Sequence, residues 1–229
     1  MGFIESFIFN FIEKDRWKYI VEGLGVTVTV AFFAVLLGVL IGFLVAYVRT
    51  THDRTGRMKV LNVVAKVYLT VIRGTPVLIQ LLIMYFVIFG SINVPKIVAA
   101  SLAFGLNSGA YVAEIFRSGI MSIDNGQMEA GRSLGLNYNK TMWLIIMPQA
   151  IKNILPALAN EFIVLLKETS VSGFIALNDL TKGADIIRSQ TWQALFPLLG
   201  AAAIYLVMVM VLQHFVNKLE RKLAKSDNR

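Results

Sequence analysis

The 229-residue chain (25.4 kDa) is 56% hydrophobic and 16% charged, with a mean hydropathy of +0.67. Ordinary soluble domains run about 45–50% apolar and about 25% charged, so a disordered chain, a disulfide-stapled secreted domain and a collagen-like fibre are excluded. There are no cysteines, which removes thiol catalysis and zinc–thiolate clusters, and the net charge of +8 raises the question of where the basic residues fall.

Residues 1–22 carry Glu5, Glu13 and Asp15 and lack a small-residue cleavage site, so they do not read as a cleavable signal. Phe3, Ile4, Phe7, Ile8, Phe11 and Ile12 recur at helical spacing. They predict a short amphipathic helix that lies on the outer membrane surface or packs on the bundle, with Trp17 and Tyr19 at interface depth. Five spans follow, over 23–48, 60–89, 96–116, 142–169 and 192–216, each at least about 20 residues and sufficient for roughly 30 Å of hydrocarbon. The second contains Lys66 and then Arg73-Gly74-Thr75-Pro76; Pro76 has no N–H to give, so a kink or local unwinding is expected there. The fourth carries Pro148, Pro156, Glu161, Lys167 and Glu168, and charges at such depth must face protein or water. The chain therefore divides into a surface segment (1–22), a five-helix membrane domain (23–216) and a basic tail (217–229).

Twelve basic residues fall in the 49–59 loop, the 117–141 loop and the tail, against six on the opposite side. The bias toward positive cytoplasmic loops predicts an outside N-terminus and a cytoplasmic C-terminus. The basicity is topological, and no nucleic-acid partner is expected. The coupling loop, 118–141, contains a small helix of its own, Gln127–Leu134. Asp124 can cap it, Gln127 can close a capping box, and Gly135 offers a left-handed stop. So short a helix needs a docking surface, either the bundle or a cytosolic partner.

The run Gly126-Gln127-Met128-Glu129-Ala130-Gly131-Arg132-Ser133-Leu134-Gly135-Leu136, followed by Ile146-Met147-Pro148-Gln149-Ala150, resembles the EAA loop of permease subunits of binding-protein-dependent ABC importers. Arg73-Gly74-Thr75-Pro76, Tyr111-Val112-Ala113-Glu114-Ile115-Phe116-Arg117 with Gly119-Ile120, and Asn160-Glu161-Phe162 with Leu166-Lys167-Glu168-Thr169-Ser170 are similar to the polar amino acid subfamily. These four blocks spread over about 100 residues, in the order and places the subfamily has them. Gly131 stands where the second alanine is usual, and Met147 where leucine is usual.

The resemblance implies an all-α membrane protein of the type I importer permease fold, with five core helices. It also implies a second permease subunit (a copy or a paralogue), a cytosolic ABC ATPase dimer that binds the ATP and magnesium, an external amino-acid-binding protein, and surrounding membrane lipid. No catalytic residue, metal site or cofactor is expected in this chain. Coupling to the ATPase is expected at Gln127, Glu129, Ala130, Gly131, Leu134 and Gly135, with Glu129 in the first helical turn and Gly131 permitting close approach.

Depth along the spans gives a candidate pocket for a polar amino acid. Thr75 lies about 15 residues, roughly 23 Å, along the second span, and Asn107 about 11 residues, roughly 17 Å, along the third. Arg73 with Thr75 suits a carboxylate; Glu161 with Asn107 suits an ammonium group; Lys167 lies further outward. Two other readings stay open: a structural pair of Glu161 with Lys167 at the outer gate, and an Arg73 that holds the kink by bonding freed carbonyls.

Other signals carry less. Gly126-xxxx-Gly131-Arg132-Ser133 is near a phosphate-loop pattern but lacks its lysine and its preceding strand. Ser108 and His214 differ by about 15 Å in depth, too far for a nucleophile and its base. Gly38-xxx-Gly42 and Gly105-xxx-Gly109 predict close helix packing within the subunit. A self-assembling ion channel or secondary transporter is the competing function, and it has no use for a coupling helix.

Overall fold

The computed structural model describes residues 2–224; Lys225 and Arg229 of the basic tail lie outside the described residues. The elements in order are α1 (Phe3–Phe7), α2 (Trp17–Thr55), α3 (Lys59–Gly74), α4 (Val77–Leu82), α5 (Lys96–Met121), α6 (Asn125–Ser133), α7 (Tyr138–Thr141), α8 (Met147–Glu168), α9 (Leu180–Thr191) and α10 (Leu195–Ala224). Wider π-type turns continue α4 over Ile83–Ile88 and join α7 to α8 over Met142–Ile146. No strand occurs among the described residues. Four continuous helical runs are long and apolar enough to cross a bilayer, and α3 with α4 makes a fifth if that bent pair is one span.

The break in this second span is far sharper than a proline kink. Thr75 and Pro76 both leave helical geometry (ψ 147° and 136°), and the two arms meet at 112°. Two consecutive extended residues turn the chain, where one missing N–H would only bend it.

The bundle is organised on α2 and α5, which make the most extensive contact. Glycine is the reason. A Cβ on Gly38 would sit 2.8 Å from Ser108 Oγ, and one on Gly42 only 2.5 Å from Val112 Cγ1. From the other side, Gly105 accepts Leu37 and Gly109 accepts Ile41. Both small-residue stripes thus pack within the subunit, as the sequence predicts. Around this crossing, Val30, Ala34, Phe104, Leu81 and Leu165 form the main core.

At the other end of α2, Gly23 abuts the Asp179 carbonyl, and Leu180 N donates to Thr27 Oγ1 at 3.1 Å. Asp179 is fully buried and caps α9 through Lys182 N at 2.9 Å, while its second carboxylate oxygen has no partner. Burial pushes this carboxyl up to about 6. The N-terminal segment packs on the same end. Asn10 is buried, donates to Gln193 Oε1 at 2.6 Å and accepts from Thr191 Oγ1 at 3.0 Å. Arg16 reaches Gln190 at 3.3 Å, and Phe3 stacks on Phe196. The segment thus packs on the bundle through one face and leaves Phe3, Ile4 and Ile8 exposed on the other.

Candidate functional site

The broken span positions the central polar groups. Gly74 ends α3, and two side chains take up carbonyls at its end, Thr75 Oγ1 donating to Val71 O at 2.8 Å and Gln80 doing the rest. Gln80, on the first turns of α4, donates to Ile72 O at 2.8 Å, to Thr75 O at 3.1 Å and to Thr75 Oγ1 at 2.8 Å. Its amide oxygen accepts from Asn107 Nδ2 at 2.9 Å. On the next residue of α5, Ser108 Oγ donates to Glu161 Oε1 of α8 at 2.8 Å. Thr75, Gln80 and Asn107 therefore form one bonded group and Ser108 with Glu161 a second, the two meeting at successive residues of α5. Asn107 and Glu161 are at most 9% exposed. Each has its partner within the chain, which leaves Glu161 as a buried acid held only by a hydroxyl.

Thr75 and Asn107 are both bonded to Gln80, and Glu161 is bonded to Ser108, the residue after Asn107. Arg73 and Lys167 are not with them. Arg73 projects to the other side of the break, 3.9 Å from Glu114 and over the Tyr111 ring at 5.9 Å. Of the two roles open to it in the sequence, holding the kink falls to Gln80. Lys167 is exposed while Glu161 is buried; six residues apart on a helix they point to different faces, and the hydroxyl of Ser108 takes the place of the Lys167 partner. Gln80 is missing from the sequence prediction. The signal was present: it is the one amide in the apolar run 77–88. Ser108 draws notice in the sequence only as a hydrolase candidate; His214 meets Phe215 instead.

Beside the break, α2, α3 and α5 line an open cavity of about 710 Å³ whose wall includes Arg49, Lys66, Arg73, Glu114 and Arg117. Glu114 accepts two bonds from Arg117 Nε, at 3.0 and 3.1 Å, a local pair three residues apart on α5.

The small helix α6 starts at Asn125, capped by the Asp124 carboxylate accepting from Gly126 N at 2.6 Å. It closes with Leu136 N on Gly131 O, Gly135 N on Arg132 O and Gly135 at φ 80°, the left-handed stop the sequence predicts. Because the helix begins at Asn125, Glu129 falls in the second turn, beyond the helix-dipole position expected for it. Gly131 is buried against its own chain, where a Cβ would lie 2.5 Å from Thr141 Cγ2 and 3.0 Å from Ile145 Cδ1. Close approach at Gly131 therefore serves docking of α6 onto α7 and the turn after it. Gln127, Glu129, Ala130, Leu134 and Gly135 are exposed, Leu134 at 81%.

A bundle of apolar helices with one broken span, polar groups gathered at the break and a small amphipathic helix docked on one end is the build of a membrane transport subunit. Residues 34–225 match the family described as binding-protein-dependent transport system inner membrane component, and the chain belongs to that family. The chain is similar to the putative glutamine transport system permease protein GlnP of Rickettsia bellii, 39% identical over 96% of this chain and all of that one. It is also similar to the arginine transport system permease protein ArtQ of Bacillus subtilis, 37% identical over 91% and 94%. Among solved structures, an amino acid ABC transporter crystallised with histidines superposes at a TM-score of 0.85, with 41% identity over 97% of this chain and 99% of that one. A chain of the inward-facing methionine transporter MetNI, 17% identical over 92% and 99%, shares the fold at 0.73.

Proposed function

We propose that this chain is the permease half of an ATP-driven importer that moves polar amino acids into the cell by alternating access. Its place is the bacterial cytoplasmic membrane, with the N-terminus outside and the C-terminus in the cytosol. A second permease completes the pathway, an external binding protein delivers the amino acid, and a cytosolic ABC ATPase dimer binds ATP and magnesium. The observation that carries this reading is α6, a capped helix too short to stand alone. It docks through Gly131 while presenting Gln127, Glu129, Ala130 and Leu134 outward. A channel that assembles by itself has no use for such an exposed face.

The set Thr75, Gln80, Asn107, Ser108 and Glu161 is the proposed midplane station. Glu161, bonded only by Ser108, suits the ammonium of an amino acid, and the amides suit its carboxylate. Arg73 reaches the same substrate only from the far side of the break, and Lys167 serves the outer mouth.

The test is reconstitution with the ATPase and binding protein in proteoliposomes and uptake of a panel of amino acids. ATP-dependent uptake of polar amino acids supports the reading; ATP-independent flux refutes it. With the complex in hand, Asn107→Ala and Glu161→Gln should lose or alter amino acid selectivity while binding-protein-stimulated hydrolysis is largely kept. Unchanged selectivity and apparent affinity in both would move the pocket elsewhere. Orientation is tested separately: a cysteine at Thr55 should resist impermeant reagents in intact cells.

A further inference from the structure

The open cavity lined by α2, α3 and α5 carries a charge imbalance that the polar groups at the midplane do not resolve. Its wall holds four cations, Arg49, Lys66, Arg73 and Arg117, and one carboxylate, Glu114. Glu114 is already engaged: it accepts from Arg117 and lies 3.9 Å from Arg73. Asp53, an exposed residue near the end of α2, adds a second negative charge close enough to act on Arg117, but it does not line the cavity. Arg49 and Lys66 are left with no ion pair among the described residues, and Arg49 Nε is enclosed without any hydrogen-bond acceptor. An enclosed guanidinium N–H with no acceptor is costly, and Glu114, already shared by Arg117 and Arg73, is the one cavity-wall carboxylate near enough to act on Arg49. A volume of about 710 Å³ leaves room for what would satisfy them.

We propose that this cavity is an anion site, in which Arg49 and Lys66 hold a carboxylate or phosphate group and Glu114 keeps Arg73 and Arg117 in place beside it. Two sources share this chemistry. One is the carboxylate of the transported amino acid after it leaves the midplane station; the other is the phosphate of a lipid headgroup entering beside the exposed Lys66. The site stands on this chain's own charges. Only the first identity of the ligand rests on the import reading, so a failure of that reading leaves the site itself testable.

Because the chain has no cysteine, Thr70→Cys places a single reporter on the cavity wall. In the assembled complex in neutral phosphatidylcholine nanodiscs at low salt, labelling by an anionic and a cationic methanethiosulfonate is compared with the same pair of rates at an exposed control, Ser189→Cys. We expect the anionic reagent to be favoured about fivefold or more at Thr70→Cys, and inorganic phosphate to slow its labelling. Lys66→Gln, a change at an exposed side chain, should remove much of both effects, and Lys66→Arg should retain them. Slowing by the transported amino acid identifies a carboxylate site; slowing that appears only when phosphatidylglycerol is added identifies a headgroup site. No anionic preference, a preference unchanged in Lys66→Gln, or a preference that phosphate does not affect each overturns the proposal.

Discussion

The α2–α5 pair and the α3–α4 arm are held by different means. In the pair, glycines on both helices admit the other helix's side chains, and the backbones interlock along the crossing. In the arm, most of α3 faces outward, with Val60, Val64, Val67 and Val71 exposed. Discrete polar contacts tie α3 to α5, Tyr68 OH to Leu106 O at 2.5 Å and Arg73 to Glu114, whereas α4 adds Gln80 to Asn107 and the buried Leu81 in the main core. Close packing resists any relative displacement, because every contact must break at once. Discrete hydrogen bonds can be exchanged one at a time. The molecule therefore joins an interlocked spine to a helix, α3, that is fixed to it largely by a few discrete polar contacts, while α4 beyond the break is seated in the core through Leu81.

This contrast can be broken from the spine side first. Gly42→Leu forces a side chain where a Cβ already meets Val112 Cγ1 at 2.5 Å and the Ala113 backbone N at 2.8 Å. We expect failure to fold or assemble, seen as loss of the monodisperse peak in detergent, whereas Gly25→Leu, with nothing near its Cβ, assembles normally.

Next in size is Gly131→Leu, which applies the same principle to α6. The leucine collides with Thr141 and Ile145 of the same chain, so α6 should undock while the spine stays intact. ATP-driven uptake should fall to background with a melting temperature close to that of the unaltered chain. Normal uptake at normal expression would refute the docking role.

The arm is probed by Gln80→Leu, which strips the donor from Ile72 O and Thr75 O and leaves Asn107 Nδ2 without its acceptor. Buried unsatisfied groups cost about 1–3 kcal/mol each, so a measurable drop in thermal stability and a larger loss of uptake are expected. Gln80→Glu keeps the acceptor for Asn107 and should retain more stability.

The smallest effect lies where α2 meets α9. The folded carboxyl of Asp179, at about 6, lies above its ordinary 3.8, so the fold favours the protonated acid. Its stabilising effect is complete below about pH 4, is lost as pH rises through the 4–6 window, and is level above. Asp179→Asn retains a capping side chain without the charge and should raise the melting temperature at pH 7.5, an effect on the order of 1 kcal/mol. The gain should shrink at pH 5 and vanish near pH 4. A gain independent of pH would mean that ionisation of Asp179 is not its source.

The spine was the most legible part of the fold, because Gly38-xxx-Gly42 and Gly105-xxx-Gly109 announce backbone proximity directly. The coupling helix was legible to within two residues through Asp124 and Gly135. Depth counting put Thr75 and Asn107 at a common level, and both bond Gln80, since rise per residue is fixed whatever the neighbours do. It placed Arg73 on the wrong side, because depth says nothing about rotation and the 112° bend resets the face that each arm presents. Gly131 was read as a partner contact for a related reason: a small residue marks a close approach without saying to what.

The length of α2 has a mechanical consequence. Its 39 residues span about 58 Å at 1.5 Å per residue, well beyond the hydrocarbon of a bilayer. One end carries Tyr47, Thr50, Thr51 and Thr55, which share a cavity wall with Arg132 of α6 and Asn139 of α7. The other end holds Gly23 and Thr27 against α9. With no break in between, a tilt of about 5° imposed at the first end displaces the second by roughly 5 Å. A lever of this kind conveys movement from the face where α6 docks to the opposite surface without any chain of intermediate contacts, and α9, stitched to Asn10 and Gln193, is the load it moves.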